Sequence, residues 1–185
     1  MKKLLPWPVL AVSLAFQAHG APGLPYSADE ARTWLASLGA HVMVINADLT
    51  LRRKLPAKAF DLLAYYPLSK DKADAYKRTG QLVKKKDDIA NLVTYRITNY
   101  RLTNEKNETL QLEEDMDSGP LQNFPLWTYD KVLCGQLGVY VKLDKPFERV
   151  KGYMTLVWEV PGGMAHETRV PVDLSITDKD PRPGI

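Results

Sequence analysis

Residues 133–176, LCGQLGVYVKLDKPFERVKGYMTLVWEVPGGMAHETRVPVDLSI, decide how the fold is read. Side chains of an extended chain alternate between two faces, so Leu133, Leu137, Val139, Val141 and Leu143 share one face of a strand. Asp144-Lys145-Pro146 breaks the alternation and predicts a turn. Val150, Met154, Leu156, Trp158 and Val160 then share the face of a second strand. Pro161-Gly162-Gly163 predicts a hairpin, because glycine reaches the positive φ that tight turns demand. Beyond it, Val170, Val172, Leu174 and Ile176 alternate with Arg169, Asp173 and Ser175. Three strands joined by short turns predict an antiparallel meander.

The same period recurs upstream. Between His41 and Leu51 the odd positions (His41, Met43, Ile45, Ala47, Leu49, Leu51) predict a strand with its odd face inward. Val93, Tyr95 and Ile97 oppose Thr94, Arg96 and Thr98 in another, and Leu110 and Leu112 mark a short one. Two regions depart from the pattern. Ser27-Ala28-Asp29-Glu30 has capping-box spacing, and Gly39 stands where a helix would stop, which predicts a helix from Ala28 to Leu38 presenting Ala31, Trp34, Leu35 and Leu38 to the body. Within an insertion over 52–90, Leu55, Ala59, Leu62, Leu63 and Tyr66 recur at helical spacing until Pro67. Helix is preferred there over a strand carrying Phe60, Leu62, Ala64 and Tyr66. Ser69 and Gly80 bracket a polar stretch that reads as a second helix or a solvated loop.

A sheet with one apolar face must be covered, and the helical signal is too scattered to cover it alone. The expected architecture is mainly β: an antiparallel β-sandwich, immunoglobulin-like or related, with one or two short helices in the N-terminal half. An α+β alternative covers one antiparallel sheet with helices. Residues 21–177 would form a single domain, with 178–185 a flexible tail.

The opening residues MKKLLPWPVLAVSLAFQAHGA combine two lysines, a short apolar run and small residues at Ala18 and Gly20, which predicts a cleaved signal peptide over 1–20. The run is shorter than the roughly 20 apolar residues of a membrane anchor. Export to a periplasm or the cell exterior is expected. Cleavage would leave 23 basic against 22 acidic side chains, a balance that favours neither nucleic acid nor an anionic membrane as partner, and no membrane span is expected. Lys84-Lys85-Lys86 is cancelled by Asp87 and Asp88. Cys134 is the only cysteine, so the chain has no intramolecular disulfide, and its apolar neighbours predict burial rather than pairing with a second chain.

No G-x-S-x-G, H-E-x-x-H, phosphate loop or dinucleotide fingerprint occurs, and no arranged nucleophile and base. Catalytic residues are therefore expected to be absent and no cofactor is expected. Two clusters stand out. Residues 115–130, DMDSGPLQNFPLWTYD, read as a long prolyl-stiffened loop carrying Leu121, Phe124, Leu126, Trp127 and Tyr129, either as a partner-binding surface or as a plug closing one end of the sandwich. The pairs His41/Met43 and Met164/His166 have the spacing that puts imidazole and thioether on one face of a strand, a soft ligand set suited to copper. Glu113, Glu114, Asp115 and Asp117 crowd one loop, which reads as a solvated turn before it reads as a weak calcium site or a hydrolase's acid pair. The expected function is an exported, soluble, non-enzymatic binding module whose partner is another protein, as in an inhibitor, an immunity-type protein or an envelope accessory. Copper binding is the alternative, and hydrolysis by loop carboxylates ranks last.

Overall fold

The computed structural model describes residues 23–46, 57–82, 88–129 and 131–179. The predicted signal peptide, Ala47, Leu49, Leu51, Leu55, Lys84-Lys85-Lys86 and most of the predicted tail lie outside these residues. Two antiparallel sheets enclose one core, and the protein is a β-sandwich with few helices. The first sheet has the order β1 (Val42–Asn46), β2 (Ala57–Pro67), β7 (Val132–Phe147), β6 (Gln122–Tyr129). The second runs β4 (Thr109–Leu110), β3 (Thr94–Asn104), β8 (Arg149–Val160), β9 (Met164–Ser175), with β5 (Ser118–Pro120) also on β3. Phe60, Leu62, Leu137, Val141 and Leu143 meet Leu102, Met154, Leu156, Trp158 and Val172 between the sheets.

Helix α1 (Ala28–Ala40) closes one part of the sandwich, burying Ala31, Leu35 and Leu38 against β2, β8 and β9. Its capping box is formed: Glu30 N–H donates to Ser27 Oγ at 3.2 Å, and Ser27 N–H to Glu30 Oε2 at 2.8 Å. Gly39 does not stop this helix. It lies inside the last turn, and a β-carbon there would come within 2.3 Å of Thr168 Oγ1 and 2.6 Å of His166 Cδ2. The glycine serves close approach to β9, and His41 caps the end. The polar stretch after Ser69 is a helix, α2 (Lys70–Thr79), ended by Gly80 at φ 68°. A single turn, α3 (Ile89–Leu92), follows.

Four sequence expectations are corrected. The predicted meander does not exist as such: β8 and β9 form a hairpin through 161–163, but β7 pairs with β2 and β6 in the other sheet. The chain does not turn at Asp144-Lys145-Pro146; it continues to Phe147 and crosses between the sheets at Glu148. Glu105 accepts the amides of Glu148 and Arg149 at 2.9 and 3.2 Å, and backbone donors hold its carboxyl below the ordinary value. Inward alternation is the same on both sides of such a corner as in a hairpin, so period alone does not separate them.

Residues 57–67 form a strand, not the preferred helix. β2 sits between β1 and β7, and Ala59 to Ala64 are all buried. Burial on both faces turns alternation into an apolar run, which also satisfies helical spacing. The same two-sided burial reverses the prediction for β1. Val42 and Val44 pack on the main core, while Ile45 on the odd face is buried on the other side of the sheet, as are Leu63, Trp127 and Gln136. Finally, the predicted loop over 115–130 is largely strand. β6 pairs with β7 across a register shift between Phe124 and Trp127, which places Pro125 in an edge strand where its missing N–H does little harm.

Candidate functional site

Helix α1 carries Asp29, Glu30, Thr33, Trp34 and Ser37 along one flank, because positions three and four apart share a helix face. Opposite them, β2 runs out through Tyr66-Pro67 toward α2. Trp34 and Tyr66 meet at 5.0 Å between ring centroids and 56° between planes, inside the range for stabilising aromatic pairs. Tyr66 reaches this position by lying over β7. Its cross-strand partner is Gly135, where a β-carbon would approach the phenol ring to 2.5 Å. Any larger residue at 135 would displace the ring.

The two rings and Pro67 form the shared wall of two adjoining hollows. One, about 540 Å³, is completed by Asp29, Glu30, Thr33 and Ser37. The other, about 410 Å³, is completed by Leu68, Ser69, Lys72, Asp88, Ile89 and Ala90. Both fall in the size range of small-ligand and peptide-anchor sites. Lys72 Nζ donates to Asp88 Oδ1 at 2.6 Å, tying α2 to the start of α3 and bracing the far side of the groove. Burial, and secondarily the Asp88 carboxylate, push the Tyr66 hydroxyl up to about 12 from an ordinary 10.0.

That displacement has a measurable consequence. The folded protein holds the Tyr66 proton more tightly than the unfolded chain does, so its contribution is complete below pH 10 and is lost as pH rises from 10 toward 12. In an alkaline titration followed by tyrosinate absorbance, Tyr66 is expected to ionise after the exposed tyrosines. Tyr66→Phe should remove that late phase and Asp88→Asn should move it to lower pH. An unchanged trace in Tyr66→Phe would contradict the burial of this hydroxyl.

The residues singled out from sequence occupy other places. Leu121 belongs to the main core, and Trp127 is buried with its ring edge-on to Tyr65 at 5.1 Å. Phe124 and Leu126 are half-buried, and Tyr129 ends β6 opposite Val132. Phe124, Leu126, Trp127 and Tyr129 thus belong to an edge strand and Leu121 to the core, not to a protruding loop.

The two His/Met pairs are separated. His41 Nδ1 donates to the Ser37 carbonyl at 2.7 Å, and its ring stacks on Tyr65 at 4.8 Å. Met43 lies opposite Leu63, so both extend the face of the first sheet turned away from the core. Met164 and His166 lie opposite Val160 and Trp158 on the core side of the second sheet, with His166 packed against Gly39. The four side chains thus belong to different faces of different sheets and do not converge on one ion. Among the described residues, no group of three or more His, Cys, Asp or Glu is placed to hold a metal.

Glu113, Glu114, Asp115 and Asp117 are exposed between β4 and β5, rimming an open hollow of about 430 Å³ with Tyr100, Leu112 and Met116. They follow one another along a turn, with Asp115 at φ 64°, rather than facing each other across a cleft. Cys134 is buried, as its neighbours predict. No described helix is long and apolar enough to cross a membrane.

The signal for the groove was split in sequence. Trp34 is legible as an inward residue of α1, but Tyr66 fits both helical and strand spacing, and nothing local joins two residues so far apart along the chain.

No protein-family model matches this chain, and no curated protein matches it. Among solved structures it is similar to a DUF4426 family protein from Pseudomonas aeruginosa PAO1, at 12% identity over 73% of this chain and 87% of that chain, with a TM-score of 0.29.

Proposed function

We propose that this protein is a non-catalytic binding module that holds a short segment of another protein in the groove walled by Trp34 and Tyr66. The observation that carries this reading is the aromatic groove itself: two half-buried rings on a frame set by the capping box of α1, the glycine at 135 and the Lys72–Asp88 pair. Large rings with two side-chain torsions present contact area at little ordering cost. The exposed edge of β6 is the less suitable surface, because Pro125 and the register shift beside it interrupt the regular array of backbone groups that an added strand needs. The leader-like N-terminus supports a site of action in a periplasm or outside the cell, which suits an inhibitor, an immunity-type protein or an envelope accessory.

Selection of a random peptide display library tests this. Peptides should be enriched on the wild-type protein and not on Trp34→Ser, nor on Thr33→Trp, which fills the groove from an exposed helix position without removing any packed residue. Both variants should keep wild-type circular dichroism. Peptides that bind all three proteins alike would refute the groove as the recognition surface.

A further inference from the structure

We propose that the groove recognises a basic segment, and that the side chain anchoring it between α1 and Tyr66 is an arginine or lysine of the partner protein. The proposal rests on the binding reading above and names the partner's chemistry. It stands on the distribution of charge around the rings. Among the described residues, the larger hollow is lined by Asp29 and Glu30 and by no lysine or arginine. The Ser27 backbone amide, which donates to Glu30 Oε2 at 2.8 Å, and secondarily the Ser27 hydroxyl lower the proton affinity of the Glu30 carboxyl. Asp29 bonds Arg32 at 2.7 Å, yet its side chain remains 91% exposed, so a second cation can still approach it.

On the other side, Lys72, the lysine that lines the groove among the described residues, is taken up by Asp88. The positive end of the α1 dipole and Arg32 offset part of the acidic charge. Carboxylates alone would therefore hold a cation weakly. The rings supply the rest, because the negative face of an indole or phenol attracts a cation, and a long aliphatic stem finds apolar wall along the way. The protein already makes such a contact on its own surface, where the Arg169 guanidinium sits 3.8 Å over the Tyr153 ring. An acidic segment would meet Glu30, and an Asp29 only partly offset by Arg32, at the mouth.

The test uses the full chain and peptides recovered by the selection described above. Peptides that bind wild type but not Trp34→Ser should carry an arginine or lysine at a fixed position. Replacing that residue by glutamine should weaken binding roughly tenfold in a fluorescence or calorimetric titration. Raising salt from about 50 mM to about 500 mM should weaken the basic peptide and not its glutamine version. Asp29→Asn combined with Glu30→Gln should produce a similar loss. The glutamine can still close the capping box, so folding is preserved. Groove-dependent peptides with acidic or apolar anchors, or affinities indifferent to the Asp29/Glu30 pair, would overturn the basic-segment proposal while leaving the binding reading intact. Recovery of no groove-dependent peptide would overturn both.

Discussion

Trp158→Ala is expected to lower the unfolding free energy by about 4 kcal/mol, measured by urea denaturation. Trp158 has no exposed surface. It lies on β8 between Tyr95 of β3 and His166 of β9, and its indole N–H donates to Thr168 Oγ1 at 3.3 Å. Truncation removes the largest fully buried side chain from the point where the second sheet meets α1. It leaves a cavity that neighbouring strands, fixed by their ladders, cannot collapse to fill. A domain of this size is stable by only about 5–15 kcal/mol, so the variant should be close to unfolding at moderate temperature. Val132→Ser, at the exposed large hydrophobic position, should change stability by less than about 0.5 kcal/mol. Comparable losses at the two sites would contradict this assignment of the core.

Gly152→Ala is expected to cost about 3 kcal/mol or more, although it adds one methyl group at an exposed strand position. Gly152 has φ 141°, a conformation nearly reserved to glycine. A β-carbon there would fall 1.8 Å from the carbonyl oxygen of Arg101 and 2.8 Å from its carbonyl carbon, both in the backbone of β3. No side-chain rotation relieves a clash with backbone, so the β3–β8 ladder must open locally. Gly163→Ala is the control. Its φ is 78°, but the space around it is empty, and the cost should be only the conformational one of about 1 kcal/mol. Equal losses at 152 and 163 would show that conformation alone, and not the approach of β3, sets the requirement for glycine.

The β-sandwich was legible in the alternation of residues 93–97 and 150–176, and the 161–163 hairpin and the capping box of α1 were legible because each has a local chemical cause. A period reports which side of a strand is buried. It does not report which strand lies beside it. That is why the alternation of Leu137 to Leu143 and of Val150 to Val160 was compatible with neighbours in one sheet, when β7 and β8 belong to opposite sheets. Periodicity failed outright where both faces are covered, as in Ala59 to Ala64. A register shift hid the rest: between Ile97 and Asn99 the buried positions of β3 change from odd to even, continuing at Leu102 and Asn104. The groove was harder still, because it depends on Gly135 permitting Tyr66 to lie across β7 and meet Trp34 from another element.

The crossing at Glu148 also governs the order in which the molecule can assemble. Tyr129–Val132 and Val160–Met164 close short loops, so the β6–β7 and β8–β9 pairs form from neighbouring residues, and the crossing joins them into one continuous stretch from 122 to 175. By contrast, β2 must find β7, and β3 must find β8, across long intervening chain. Loop closure over such distances is slow, and chain topology of this kind sets folding rates well below those of helical proteins. During synthesis from the N-terminus, neither sheet can be completed until its last third has emerged. The chain then remains open for most of its synthesis and closes late around a C-terminal template.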